Sequence, residues 1–108
     1  MALRFLFLAA AFVFLAAPAR AQPVGDATQG QKIVDRLCIE CHAVSDEKTG
    51  HRINQAASFQ TIANTPGMTP LALSVWFRTP HREMPNIILS KDEQEDLIAF
   101  ITSLKSTN

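Results

Sequence analysis

The chain is short of thiols: its 108 residues hold two cysteines, Cys38 and Cys41, and no third is left to serve another bridge or site. It also lacks a charge surplus. Ten Lys and Arg face ten Asp and Glu, without the basic excess that a nucleic-acid binder uses against phosphates. No segment alternates apolar and polar residues over useful length, so no sheet is expected. Internal repeats, low-complexity tracts and interdomain linkers are missing after residue 25, which leaves one domain. No catalytic nucleophile or acid–base pair stands out, and the chain is not read as an enzyme.

The apolar stretch near the start is too short to cross a membrane. Phe5 to Ala17 is uninterrupted but has 13 residues, against the ~20 that a spanning helix needs. Arg4 before it, Pro18 after it and the small-x-small triplet Ala19-Arg20-Ala21 read as a secretory signal over residues 1–21. The mature chain is expected to begin at Gln22, with a retained N-terminal anchor as the alternative. Cleavage removes Arg4 and Arg20, so 8 basic residues face 10 acidic ones in the 87 that remain. Residues 22–108 are expected to form a single domain exported to the periplasm, with no stable membrane insertion. A core of that size is marginal and calls for a staple.

Helix signals, by contrast, are plentiful. Asp26 offers an N-cap with Gln29 three residues on, and Gly30, Ile33, Val34 and Leu37 share one face of a helix expected to reach about Cys41. Residues 43–68 are polar and irregular, with one helical turn around Ser58 to Ala63. Thr69-Pro70 pairs a cap with a proline at the first helical position and opens a short helix to about Phe77, ended by Pro80. After a loop through Met84-Pro85, Ser90 and Glu93 make the capping box of the last helix. Asp92, Glu93, Glu95 and Asp96 load its dipole-positive end, and Leu97, Phe100, Ile101 and Leu104 supply its apolar stripe. The fold class is all-α, with three to four helices.

Both cysteines fall in Cys38-Ile39-Glu40-Cys41-His42, a C-x-x-C-H run of the kind that attaches c-type haem. Positions i and i+3 of a helix are neighbours roughly 5–6 Å apart, so the two thiols can reach two vinyl groups on one porphyrin edge and form two thioethers. His42 follows at once and can bring its imidazole to the iron, while its other ring nitrogen needs an acceptor to fix the tautomer. One covalently attached haem c per chain would also be the staple. The competing readings are a plain disulfide, a thioredoxin-like redox pair (normally found in a βαβ context) and a zinc site completed by His51 and His81.

A second axial ligand belongs far downstream, on a loop that closes over the other haem face. Met68, Met84, His51 and His81 are the candidates. Met84 is preferred, because Pro85 biases it towards the extended backbone of a strap and helices on both sides can hold that strap. A thioether opposite a histidine favours ferrous iron and raises the potential.

With these residues in this order, the chain resembles the small monohaem cytochromes c of class I. The resemblance spans Gly30 to Leu104. It rests on Gly30 and Val34, eight and four residues before Cys38, on the C-x-x-C-H motif, on Met84-Pro85 and on Asp96-Leu97-Ile98-Ala99-Phe100-Ile101. It implies the cytochrome c fold, with helices packed around one haem and Gly30 of the first helix against Phe100 of the last. Glycine permits that approach at a helix cost of about 0.5–1 kcal/mol. The function implied is that of a soluble periplasmic electron carrier, monomeric and with transient redox partners. Its haem c would be held by Cys38 and Cys41, with the iron between His42 and Met84. A haem-based sensor with an open or labile sixth site, or the electron-entry subunit of an exported oxidoreductase, are the alternatives.

Two features depart from the family's pattern. Its members commonly use a proline carbonyl to accept the hydrogen bond of the haem histidine. Here no proline occurs between Pro23 and Pro66, so another carbonyl, near Gln55 to Ala57, must serve. Val34 stands where the first helix often carries an aromatic. Trp76 is read either as a haem-packing residue or as plain core. Arg52, Arg78 and Arg82 are candidate propionate partners, and Arg78, His81 and Arg82 suggest a basic rim facing an acidic partner. His51 and His81 are otherwise expected to be exposed.

Overall fold

The first helix starts where its sequence says it should, but it closes its cap in an unexpected way. In the computed structural model, which describes residues 24–48, 56–81 and 83–107, helix α1 runs over Ala27–Ile33. Asp26 is its N-cap, the carboxylate accepting from the Thr28 and Gln29 N–H groups at 2.7 and 3.3 Å. The reciprocal partner of the Asp26 N–H is not Gln29. Asp96 of the last helix supplies it, with Oδ1 accepting at 2.6 Å. A tertiary contact thus does the work that a local capping box usually does.

Helix α1 is also shorter than its pattern implies. The expected helix to about Cys41 gives way at Val34 to a π-helical turn over Val34–Cys38, marked by the bond from Ile39 N–H to the Val34 carbonyl at 3.0 Å. Such a turn inserts one residue and advances the following side chains by roughly 100° relative to a continuous helix. Gly30, Ile33 and Val34 remain buried on the expected face. Leu37 does not: it is 39 % exposed and turned to a cavity instead.

Three more helices complete the described fold: α2 at Phe59–Asn64, α3 at Pro70–Arg78 and α4 at Lys91–Ser103. Each begins at the residue type that favours a start. Ser58, Thr69 and Ser90 are N-caps whose hydroxyl oxygens accept from Thr61, Ala72 and Glu93 N–H groups. The Ser90–Glu93 capping box is complete. Among the described residues there is no strand, and the architecture is all-α with four α-helices, as expected.

The core lies where α1 and α4 cross. Leu97, Ile98, Ala99, Phe100 and Ile101 are buried there with Ile33 and Val34. The approach is so close that a Cβ on Gly30 would fall 2.1 Å from the Asp96 carbonyl oxygen and 2.7 Å from the Phe100 Cβ. Only glycine fits. Gly25, at φ +101°, packs its backbone just as closely, with Glu95 O at 2.3 Å from where a Cβ would stand. That second close approach left no signal in the sequence pattern. Farther along, Gln94 Nε2 donates to the Ser74 carbonyl at 3.3 Å, tying α4 to α3, and Ser106 N–H donates to Asn64 Oδ1 at 2.8 Å, tying the C-terminal tail to α2.

Candidate haem site

Beside the α1–α4 crossing lies a cavity of about 730 Å³. Native interiors hold few voids larger than a water molecule, and this volume falls in the range of ligand pockets. Its walls are largely apolar. Leu37, Ile62, Leu73, Phe77, Leu89 and Leu97 contribute to them. Cys38, Cys41, His42 and Met84, picked from scattered parts of the sequence, all line this one space.

Local structure explains how the motif residues reach it. The π-helical turn ends at Cys38, and the Cys38 carbonyl then accepts from both Cys41 N–H at 3.1 Å and His42 N–H at 2.9 Å. This tight turn keeps the two thiols and the imidazole on the same side of the chain. Cys38 is buried and Cys41 half-buried, and no disulfide joins them. Burial, and secondarily the neighbouring Cys41, raise the Cys38 thiol above its ordinary range. A redox-active C-x-x-C pair needs the opposite, a thiol lowered towards neutrality. With no strand among the described residues, the thioredoxin-like reading loses both its context and its chemistry. No group of three His, Cys, Asp or Glu side chains converges as a metal site among the described residues, and His51 lies outside them.

His42 is held on two sides. Its Nδ1–H donates to the Ala57 carbonyl at 2.7 Å, inside the stretch expected to replace the missing proline. Phe59 stacks on the ring, centroids 5.0 Å apart and planes inclined by 26°. A neutral imidazole that donates from Nδ1 carries its lone pair on Nε2, the tautomer a metal ligand needs. Ala57, just ahead of α2, and Phe59, its first residue, thus supply the second-nitrogen acceptor and the ring support together.

Met68, Met84 and His81 also line the cavity. Met68 packs against the hydrophobic core cluster, which is the ordinary role of a methionine. Met84 sits on the connection between α3 and α4, preceded by Glu83 in the left-handed region at φ +66°. Backbone strain of this kind in a residue other than glycine marks sites where the chain must present a side chain in a set direction. His81 is corrected from exposed to half-buried. Its Nδ1–H donates to the Thr79 carbonyl at 2.8 Å, and Trp76 meets its ring edge-on at 5.2 Å. Trp76 itself is 51 % exposed on the cavity rim, so plain core packing is excluded for it. Of the suggested basic rim, Arg78 is exposed at the end of α3, while Arg52 and Arg82 lie outside the described residues.

Fold and cavity together define a small all-α protein built around a space for one large, flat, apolar prosthetic group. The chain belongs to the cytochrome c family: the family model described as "Cytochrome c" matches residues 27–105, and the four helices and the glycine–phenylalanine crossing place it with the small monohaem class I members. It is similar to cytochrome c-552 of Bradyrhizobium diazoefficiens strain USDA 110, with 33 % identity over 82 residues, covering 74 % of this chain and 76 % of that one. No solved structure gives a match. Members of this family are electron carriers bearing covalent haem c, and the donor set on the cavity suits that group: two thiols, one imidazole of fixed tautomer and a thioether.

Proposed function

We propose that the chain is a soluble periplasmic electron carrier with one haem c bound through thioethers at Cys38 and Cys41. Haem bound there supplies a one-electron Fe(III)/Fe(II) couple. His42, through Nε2, and Met84, through its sulfur, would hold the iron. Cys38 and Cys41 fix the group covalently, Ala57 and Phe59 set the imidazole, and the apolar lining keeps water away. With His42 and Met84 both holding the iron, small oxidants would be kept out and little rearrangement would accompany each electron. The observation carrying this reading is that the four candidate residues line one apolar cavity, with His42 Nδ1 engaged by the Ala57 carbonyl.

Among the described residues no helix is long and apolar enough to cross a membrane. Periplasmic location rests on the reading of residues 1–21, which lie outside the described residues. The chain acts as a non-enzymatic monomer that meets its redox partners transiently, through the small contact areas usual for electron transfer.

Absorption spectra of the mature protein made with haem-attachment machinery test the assignment. Low-spin ferric and ferrous bands are expected, with a weak near-infrared sulfur-to-iron band that disappears in Met84→Ala. A high-spin spectrum of the unmutated protein would turn the reading towards a ligand-binding sensor, and an absence of covalent haem would overturn it.

A further inference from the structure

The carbonyl that holds His42 has no proline ring to stiffen it, so other contacts must fix the Ala57 peptide. Ala57 precedes Ser58, the N-cap of α2, which is 3 % exposed. The Ser58 hydroxyl is engaged in both directions. Its oxygen accepts from Thr61 N–H at 2.9 Å, and its O–H donates to the Asp46 carboxylate. The same Asp46 oxygen accepts from the Thr61 hydroxyl at 2.7 Å, and Asp46 N–H donates to Gln60 Oε1 at 3.4 Å.

Backbone bonds run alongside. Phe59 N–H donates to the Ala43 carbonyl at 2.9 Å and Gln60 N–H to the Val44 carbonyl at 3.0 Å. Three orphan N–H groups of α2 are therefore met, two of them by the segment that leaves His42. Asp46 stands at the far end of that segment and clasps the first turn of α2 from the side. Nothing in this clasp is local to the helix, and nothing in it touches the cavity.

We propose that Asp46 is a positioning residue for His42. By holding the Ser58 and Thr61 hydroxyls it fixes the peptide of Ala57 and keeps its carbonyl on the His42 Nδ1–H. The proposal deepens the reading of His42 as the iron's proximal ligand and rests on it. An acceptor firmly placed on Nδ1–H makes the imidazole more basic and a better donor to the metal. Loosening that acceptor weakens donation, favours the reduced iron and raises the potential. The Asp46 carboxyl is held below the usual carboxylate range by Ser58 first and then Thr61, so the clasp is charged at neutral pH.

The test uses the haem-loaded protein and three variants. Asp46→Ala removes the acceptor and the charge, Asp46→Asn keeps an acceptor oxygen without the charge, and Thr61→Val removes one donor while leaving Asp46 in place. Two quantities are read: solvent exchange of the His42 Nδ1–H by proton NMR of the ferrous form, and the midpoint potential by spectroelectrochemical titration. Asp46→Ala is expected to speed exchange several-fold and to raise the potential. Asp46→Asn should stay close to the parent and Thr61→Val should fall between. If Asp46→Ala does not fold, Thr61→Val carries the same readouts. Parent-like exchange and potential in Asp46→Ala and Thr61→Val overturn the proposal, as does an Asp46→Asn variant that behaves like Asp46→Ala, since charge alone would then be acting. A parent protein whose spectrum shows haem without a histidine ligand overturns the underlying assignment instead.

Discussion

The two sides of this molecule are built on different terms. At the α1–α4 crossing the chain fills its own interior, with Ile33, Val34 and Leu97 to Ile101 buried and Gly30 pressed against the Asp96 backbone. On the cavity side α3 buries Leu73 alone. Trp76 of α3 and Leu37 are 51 % and 39 % exposed on the cavity wall, and Phe77 and Leu89 are half-buried there. The crossing can be stable by side-chain packing. The cavity wall keeps more of its apolar surface uncovered, so the fold divides into a frame and a lining.

Breaking the frame should cost most. Gly30→Ala drives a Cβ into the Asp96 carbonyl, which is backbone and cannot rotate away. Overpacking of this sort costs typically 1–3 kcal/mol and occasionally more, and with a backbone obstacle a loss of about 3 kcal/mol is expected in urea unfolding. A variant as stable as the parent would mean that the helices separate freely, and the frame would not be one.

A milder probe lies at the near end of the same frame. Glu93 closes the capping box with Ser90 and pairs with Arg36 at 3.1 Å. Its carboxyl is lowered, chiefly by the Ser90 backbone N–H, then the Ser90 hydroxyl and Arg36. A lowered folded-state pKa gives stability that is present above the unfolded value of about 4.3 and lost as pH falls through the folded one. Glu93→Gln keeps a capping partner at this position but removes the titration. The gap between parent and variant should therefore shrink between pH 7 and about pH 3. A constant gap would assign the effect to the cap geometry and not to the charge.

Smallest of all should be Leu71→Ser on the exposed face of α3, away from the lining. An exposed position away from caps and core usually shifts stability within about ±0.5 kcal/mol. Thermal unfolding that moved by several times this amount would show that α3 is better packed than its exposure indicates.

What the sequence could reveal follows the same division between near and far. Caps are local, and Asp26, Ser58, Thr69 and Ser90 each sit within three residues of the N–H they accept from. The motif at Cys38, Cys41 and His42 is local too, and Gly30 against Phe100 was legible because the family resemblance brings together positions far apart. The Ala57 acceptor could be bracketed once the proline was seen to be missing. Other features depend on contacts that no spacing announces. The π-helical turn that moves Leu37 off the buried face, the Asp96 oxygen that takes over from Gln29 and the second close approach at Gly25 belong to this group. Asp46 read as an ordinary polar loop residue, because its partners become neighbours only when α2 docks.

The Asp26–Asp96 hydrogen bond also sets a timetable. Its two residues are 70 positions apart, and the Gly30–Phe100 contact spans a similar length, so the frame cannot close until nearly the whole chain has been made. Contacts between positions so far apart are slow to form. Cys38 and Cys41 therefore lie on a segment that stays unanchored until α4 docks on α1.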